Sequence, residues 1–91
     1  MAMLWTVSAQ RDLARLYGFL APVDESAARR TVALILSGVR RLAAHPRLGV
    51  PLAKFGPREV RRLIVSGFEL RYEIRDGDLF ILRVWHSRED R

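Results

Sequence analysis

Along the first half of the chain apolar residues return every three or four positions, and along the last third they return every second position. The first spacing is that of helices and the second that of strands. Leu4-Trp5-Thr6-Val7 reads as a short opening strand. Ser8 is placed to cap a helix whose apolar stripe is Leu13, Leu16, Tyr17 and Leu20, and Pro22 ends it. Asp24 or Ser26 caps a second helix, in which Ala28, Val32, Ile35, Leu36, Val39, Leu42 and Ala43 share one face until Pro46 stops it. Two amphipathic helices joined by a few residues make a hairpin.

From Pro46 to Pro57 the chain is rich in proline and glycine and is expected to be a loop, long for a domain of this size. Arg61 to Ser66 then reads as a strand, and Ser66-Gly67 as a turn. In Glu69-Leu70-Arg71-Tyr72-Glu73-Ile74-Arg75 apolar and charged residues alternate, so one face is buried and the other wet. Asp76-Gly77 is a hairpin turn, and Leu79 to His86 is apolar on nearly both faces, as an inner strand is. The order β-α-α-β-β-β predicts one α+β domain over residues 1–91: an antiparallel twisted sheet with a helical hairpin on one face.

Composition narrows the function. Apolar residues are 49% of the chain, enough for a core, and the net charge of +6 suits acidic partners, nucleic acid or protein. Residues 1–57 hold 8 basic and 3 acidic side chains (+5), and residues 58–91 hold 8 and 7 (+1). The excess therefore sits on the helices and loop, notably at Arg29, Arg30, Arg40 and Arg41 on the polar side of the second helix. Without cysteine there is no disulfide scaffold and no thiolate metal site. No signal-peptide pattern and no membrane-length apolar run is present, which points to the cytoplasm.

Phosphate-cradling glycine loops are missing, and no metal-ligand spacing joins His45 and His86, so neither cofactor nor metal is expected. His45 falls where it can cap the second helix. What remains is a cluster near the C-terminus: Arg83, Trp85, His86, Ser87, Arg88, Glu89 and Asp90, which Arg61 or Arg62 and Arg71 can join from neighbouring strands. Such a cluster can bind phosphate. Salt bridges from Glu69, Glu73 and Glu89 across the strands are the alternative reading.

The segment from Val60 to Ile74 resembles the "RrL-x-V-x-G-[YF]-x-L-x-Y-x-[IV]" stretch of the RelE/ParE toxins of type II toxin–antitoxin systems, and Ile81 to Asp90 is similar to the "IlrVxHxRrD" ending of ParE-like members. Ala43 to Pro51 resembles their helix exit, and Ser8 to Leu13 their strand-to-helix entry. The resemblance implies a toxin neutralised by a cognate antitoxin, ParD-like or similar, whose acidic amphipathic segment lies along the helices, with Arg29, Arg30, Arg40 and Arg41 as its contacts. RelE-like members cut messenger RNA on the ribosome. Of their catalytic positions, a basic strand residue falls on Arg62 and a late arginine on Arg88, but another arginine falls on Glu69 and the terminal tyrosine has no counterpart. ParE-like members inhibit DNA gyrase and require no catalytic residues of their own. The resemblance thus implies a gyrase inhibitor, with an mRNA endoribonuclease as the alternative and Arg61, Arg62, Arg83, His86 and Arg88 as the target-binding residues.

Overall fold

The computed structural model describes residues 1–88. The chain runs β1 (Met3–Trp5), α1 (Val7–Leu20), α2 (Glu25–Ala44), β2 (Val50–Pro51), a 3-10 turn (Ala53–Phe55), β3 (Glu59–Val65), β4 (Phe68–Arg75) and β5 (Asp78–His86). The α+β reading stands, with two refinements. The loop contributes a two-residue strand, β2, paired with Arg61 and Arg62, and the sheet is mixed rather than wholly antiparallel. Its order is β1-β5-β4-β3-β2, and β1 runs parallel to β5, pairing Met3 with Leu79 and Trp5 with Ile81.

Local chemistry sets the boundaries. Thr6, not Ser8, caps α1: its hydroxyl accepts from the Ala9 amide at 3.1 Å and donates to the carbonyls of Ile81 and Leu82 at 3.0 Å. The cap thus also fastens the helix to β5, which Ser8 is placed too late to do. Asp24 caps α2 by accepting from the Ala27 amide at 3.0 Å. Both hairpins turn over two residues with positive φ, Ser66 (48°) with Gly67 (84°) and Asp76 (52°) with Gly77 (79°). Paired positive φ gives the turn twist that matches the strands.

Leu70, Tyr72, Leu79, Ile81 and Val84 leave the sheet toward the helices and meet Ala9, Leu16, Ile35, Val39 and Leu42. Gly38 lies against Val65, and a Cβ there would stand 2.7 Å from that side chain, so a small residue is what lets α2 approach the sheet. The buried stripe of α1 is Ala9, Asp12 and Leu16. Tyr17, expected inside, is exposed, as is Leu36 of α2; both line a groove of about 450 Å3 with Trp5, Leu13 and Val32.

β5 carries an irregularity that decides which residues share a face. Tyr72 pairs with Ile81 and Arg71 with Arg83, which leaves Leu82 without a partner. The extra residue switches the alternation. Ile81 and Val84 both face the helices, and Arg83 and Trp85 fall on the open face beside Arg71 and Glu69.

Candidate functional site

The open face of the sheet is not a bare polar surface. Glu69 (1% exposed) and Glu73 (2% exposed) are buried there. Buried carboxylates persist only when paired, and arginines supply the pairing. Arg58 holds Glu73 in a two-pronged bond of 2.9 and 3.0 Å. That bond, aided by the charges of Arg58 and Arg75, keeps the Glu73 carboxyl below the ordinary value despite its burial. Arg71 donates to Glu69 at 2.9 Å, and Arg62 stands 3.9 Å from the same carboxylate. The guanidinium of Arg71 lies over the rings of Trp85 (4.7 Å) and Phe55 (5.5 Å). Arg83 lies over Trp85 from the other neighbouring position (4.9 Å), and Arg75 over Phe80 (4.4 Å). Arginine stacked on aromatic rings loses water at little cost, because the ring faces are negative.

Between this layer and the 3-10 turn lies a cavity of about 590 Å3, lined by Pro51, Leu52, Ala53, Lys54, Arg62, Arg71 and Trp85. A second cavity of about 550 Å3 sits on the opposite, helix-bearing side, lined by Arg15, Leu16, Phe19, Leu20, Phe68, His86 and Arg88. The two share no residue.

The C-terminal cluster expected from the sequence is therefore divided. Arg62 and Arg83 are on the open face. His86 meets the edge of Phe68 at 5.2 Å on the helix side, its Nδ1 accepting from the Arg88 amide at 3.1 Å. Arg61 points the other way from Arg62, since adjacent strand residues face opposite sides. Its guanidinium donates to the carbonyls of Gly49 (2.8 Å) and Arg47 (3.3 Å) and to Glu59 (2.9 Å), so it holds the loop in place. A single exposed place gathering Arg61 or Arg62, Arg83, His86 and Arg88 is thus corrected to two. Glu89 and Asp90 lie outside the described residues. Arg29, Arg30, Arg40 and Arg41 are all exposed on α2, as expected. His45 is the C-cap of α2, its amide donating to Arg41 at 2.8 Å.

The model of the ParE toxin of type II toxin–antitoxin systems, parDE, matches residues 3–91. The chain belongs to the ParE toxin family. This ParE-family toxin is 37% identical over 87 residues to Toxin RelE3 of Caulobacter vibrioides, covering 91% of this chain and 90% of the relative. It shares the fold of a chain from the chromosomal ParDE system of P. aeruginosa (TM-score 0.80, 23% identity, 97% of each chain). A chain of the toxin–antitoxin complex RelBE2 from Mycobacterium tuberculosis is also similar (TM-score 0.67, 27% identity, 93% of this chain and 95% of that one).

Three positions of this ParE-family toxin escaped the sequence reading. Asp12 is buried on α1, accepts from Arg83 at 2.7 and 3.1 Å, and accepts the Val84 amide at 2.9 Å. It completes the edge of β5 beyond the point where β1 ends. The signal was a lone acid one turn before Leu16, on the stripe that faces the sheet. Tyr72 is the second: its hydroxyl accepts from the Gly49 amide at 2.9 Å and donates to the Pro46 carbonyl at 2.7 Å, and burial pushes its pKa up. Lys54, the single lysine, is the third, as a cation lining the open-face cavity. No group of three or more His, Cys, Asp or Glu among the described residues could hold a metal ion, and no helix among them is long and apolar enough to cross a membrane.

Proposed function

We propose that this toxin inhibits DNA gyrase in the cytoplasm. The observation that carries the reading is Glu69. A ribonuclease must present uncompensated positive charge to the RNA backbone. Here two arginines of the open face are matched by carboxylates buried among them, Glu69 under Arg71 and Glu73 under Arg58. The histidine best placed for proton transfer, His86, is turned to the other side of the sheet. An inhibitor that binds a topoisomerase needs no acid–base pair of its own. Arg62 and Arg83 on one face, and His86 and Arg88 at the far end of β5, are the residues proposed to meet the target, with Arg61 supporting the loop beside them.

The proposed antidote is a cognate, ParD-like antitoxin with an acidic amphipathic segment. The apolar groove between α1 and α2, with Leu13, Tyr17, Val32 and Leu36 along it, takes the apolar face of such a segment. The exposed arginines Arg29, Arg30, Arg40 and Arg41 meet its acids.

The deciding experiment is gyrase supercoiling of relaxed plasmid with increasing toxin. Loss of supercoiling, reversed by the antitoxin encoded beside the gene, is the expected result. Full supercoiling at every toxin concentration rejects the reading. The 37% identity to a protein named RelE3 favours a second reading, an mRNA endoribonuclease with Arg62 and Arg88 as its catalytic pair. Arg62 and Arg88 border different cavities, which tells against it. Cleavage of messenger RNA in a translation extract, abolished by Arg88→Ala, is the result that establishes it.

A further inference from the structure

The outer edge of β5 is covered along most of its length and left open at its far end. β1 pairs with it only as far as Ile81. Beyond that point side chains take over: the Thr6 hydroxyl donates to the Leu82 carbonyl at 3.0 Å, and Asp12 accepts the Val84 amide at 2.9 Å. The cover stops there. The Ser87 amide donates to the Gly67 carbonyl at 2.7 Å, so Trp85 and Ser87 turn their backbone groups toward β4, while Val84 and His86 turn theirs outward. Among the described residues nothing pairs with the outward amide and carbonyl of His86. Unpaired groups at a sheet edge are a template for another strand.

The second cavity, of about 550 Å3, lies beside this edge. α1 is on the outward side of β5, since Asp12 reaches the outward amide of Val84 from it. The next turns of the same helix supply Leu16, Phe19 and Leu20 to the cavity wall, which His86 and Phe68 complete from the sheet. Phe19 is 79% exposed, a large apolar side chain that the fold leaves uncovered. Arg15 and Arg88, both exposed, bound the cavity, and no acid among the described residues lines it. We propose that this end of β5 is a docking edge that adds one extended, acidic segment of the target protein to the sheet, and this rests on the gyrase reading. The segment's backbone takes the His86 amide and carbonyl, one large apolar side chain enters the cavity against Phe19 and Phe68, and a neighbouring carboxylate meets Arg88. A helix satisfies its own backbone and has nothing to give the His86 amide, so the occupant is extended. The groove proposed for the antitoxin, lined by Leu13 and Tyr17, lies on the other flank of α1 and shares no residue with this cavity, so a helix seated there leaves the edge open.

The test is the affinity of the full chain for purified gyrase, by surface plasmon resonance, with supercoiling measured in parallel. His86→Pro deletes the outward amide and takes nothing from the ladder to β4. His86→Ala keeps the amide and removes only the ring. Proline is expected to weaken gyrase binding at least about tenfold more than alanine does, because it leaves an acceptor of the docked strand unpaired. Phe19→Ser and Arg88→Glu should weaken it as well. All of these variants should hold the cognate antitoxin as wild type does. Equal gyrase affinity in His86→Pro and His86→Ala overturns the docking edge. So does a loss of antitoxin binding in step with gyrase binding, since the antitoxin is then the occupant. Should His86→Pro lack the wild-type circular dichroism spectrum, Phe19→Ser and Arg88→Glu decide, and wild-type gyrase affinity in both overturns the proposal. A wild-type chain that neither binds nor inhibits gyrase rejects the gyrase reading and the docking edge with it. Variants that inhibit as well as an active wild type reject the docking edge alone.

Discussion

The two faces of the sheet are both largely withdrawn from water, but by opposite means. On the helix side, Leu70, Tyr72, Ile81 and Val84 are covered by Ile35, Val39 and Leu42, apolar against apolar. On the open side no helix arrives. Glu69 and Glu73 are buried instead beneath arginines that lie on Phe55, Phe80 and Trp85. The same β4 strand serves both faces through its alternation. The lesson concerns what each face tolerates. The helix side is sensitive above all to volume. The open side is sensitive to charge, and its stability depends on protonation and salt.

The largest effect should come from placing a charge on the apolar side. Ile35→Asp buries an unpaired carboxylate and should cost more than about 4 kcal/mol, enough to abolish folding. A cooperative melt by circular dichroism close to that of wild type contradicts the division between faces. Asp12 is where the two faces meet, since an acid from α1 holds Arg83 of the open face and the edge of β5. Asp12→Ala leaves the Val84 amide and Arg83 without that acceptor and should cost about 1.5–3 kcal/mol in urea denaturation. At the margin of the apolar side, Tyr72→Phe strips partners from the Gly49 amide and the Pro46 carbonyl. About 1–3 kcal/mol is expected, with no dependence on salt. Retention of the wild-type midpoint means that Tyr72 does not pin the loop.

Acid acts through paired carboxylates on both faces. Glu73 is held below the ordinary carboxylate value of 4.5 by the Arg58 bond, and Glu59 by its bonds to Arg47 and Arg61. A carboxylate with a lowered folded pKa stabilises the fold above that ordinary value and loses its contribution as pH falls through the lowered one. The melting temperature should therefore hold from neutrality to about pH 4.5 and decline below it. Glu73→Gln should start lower and decline less steeply, and an identical acid limb would mean that the buried carboxylate carries none of it. The smallest effect belongs to Arg29→Ala. Its pair with Glu25 is solvent-exposed on both sides, so the loss should stay within about 0.5 kcal/mol and disappear in high salt.

Much of the architecture could be read in advance, because it is written in local chemistry. Paired positive-φ turns need Ser66-Gly67 and Asp76-Gly77, and the alternation through β4 assigns its two faces. Apolar spacing through α2 names Ile35, Val39 and Leu42 as core. The site was less legible. Arg61 and Arg62 are adjacent in sequence, and only the register to Tyr72 and Arg71 says which one is committed to the loop and which reaches the open face. Glu69 could be seen as an acid where RelE-like members are expected to place a base, but not as a group buried under Arg71.

What the sequence determined by itself is the set of elements, their order and the family, since these follow from periodicities and motifs within a few residues of one another. What only the tertiary structure decided is the joining of distant parts. These are the parallel pairing of β1 with β5, the Asp12 clasp 72 residues away on Val84, and the unpaired Leu82. Leu82 shifts the side-chain alternation by one residue. A one-residue shift reverses the face of everything after it, and so Trp85 and Arg83 stand with Arg71 while His86 faces the helices. No local pattern in a largely apolar strand records that shift, because it is fixed by which hydrogen bonds Thr6, Asp12 and β4 leave for β5 to make.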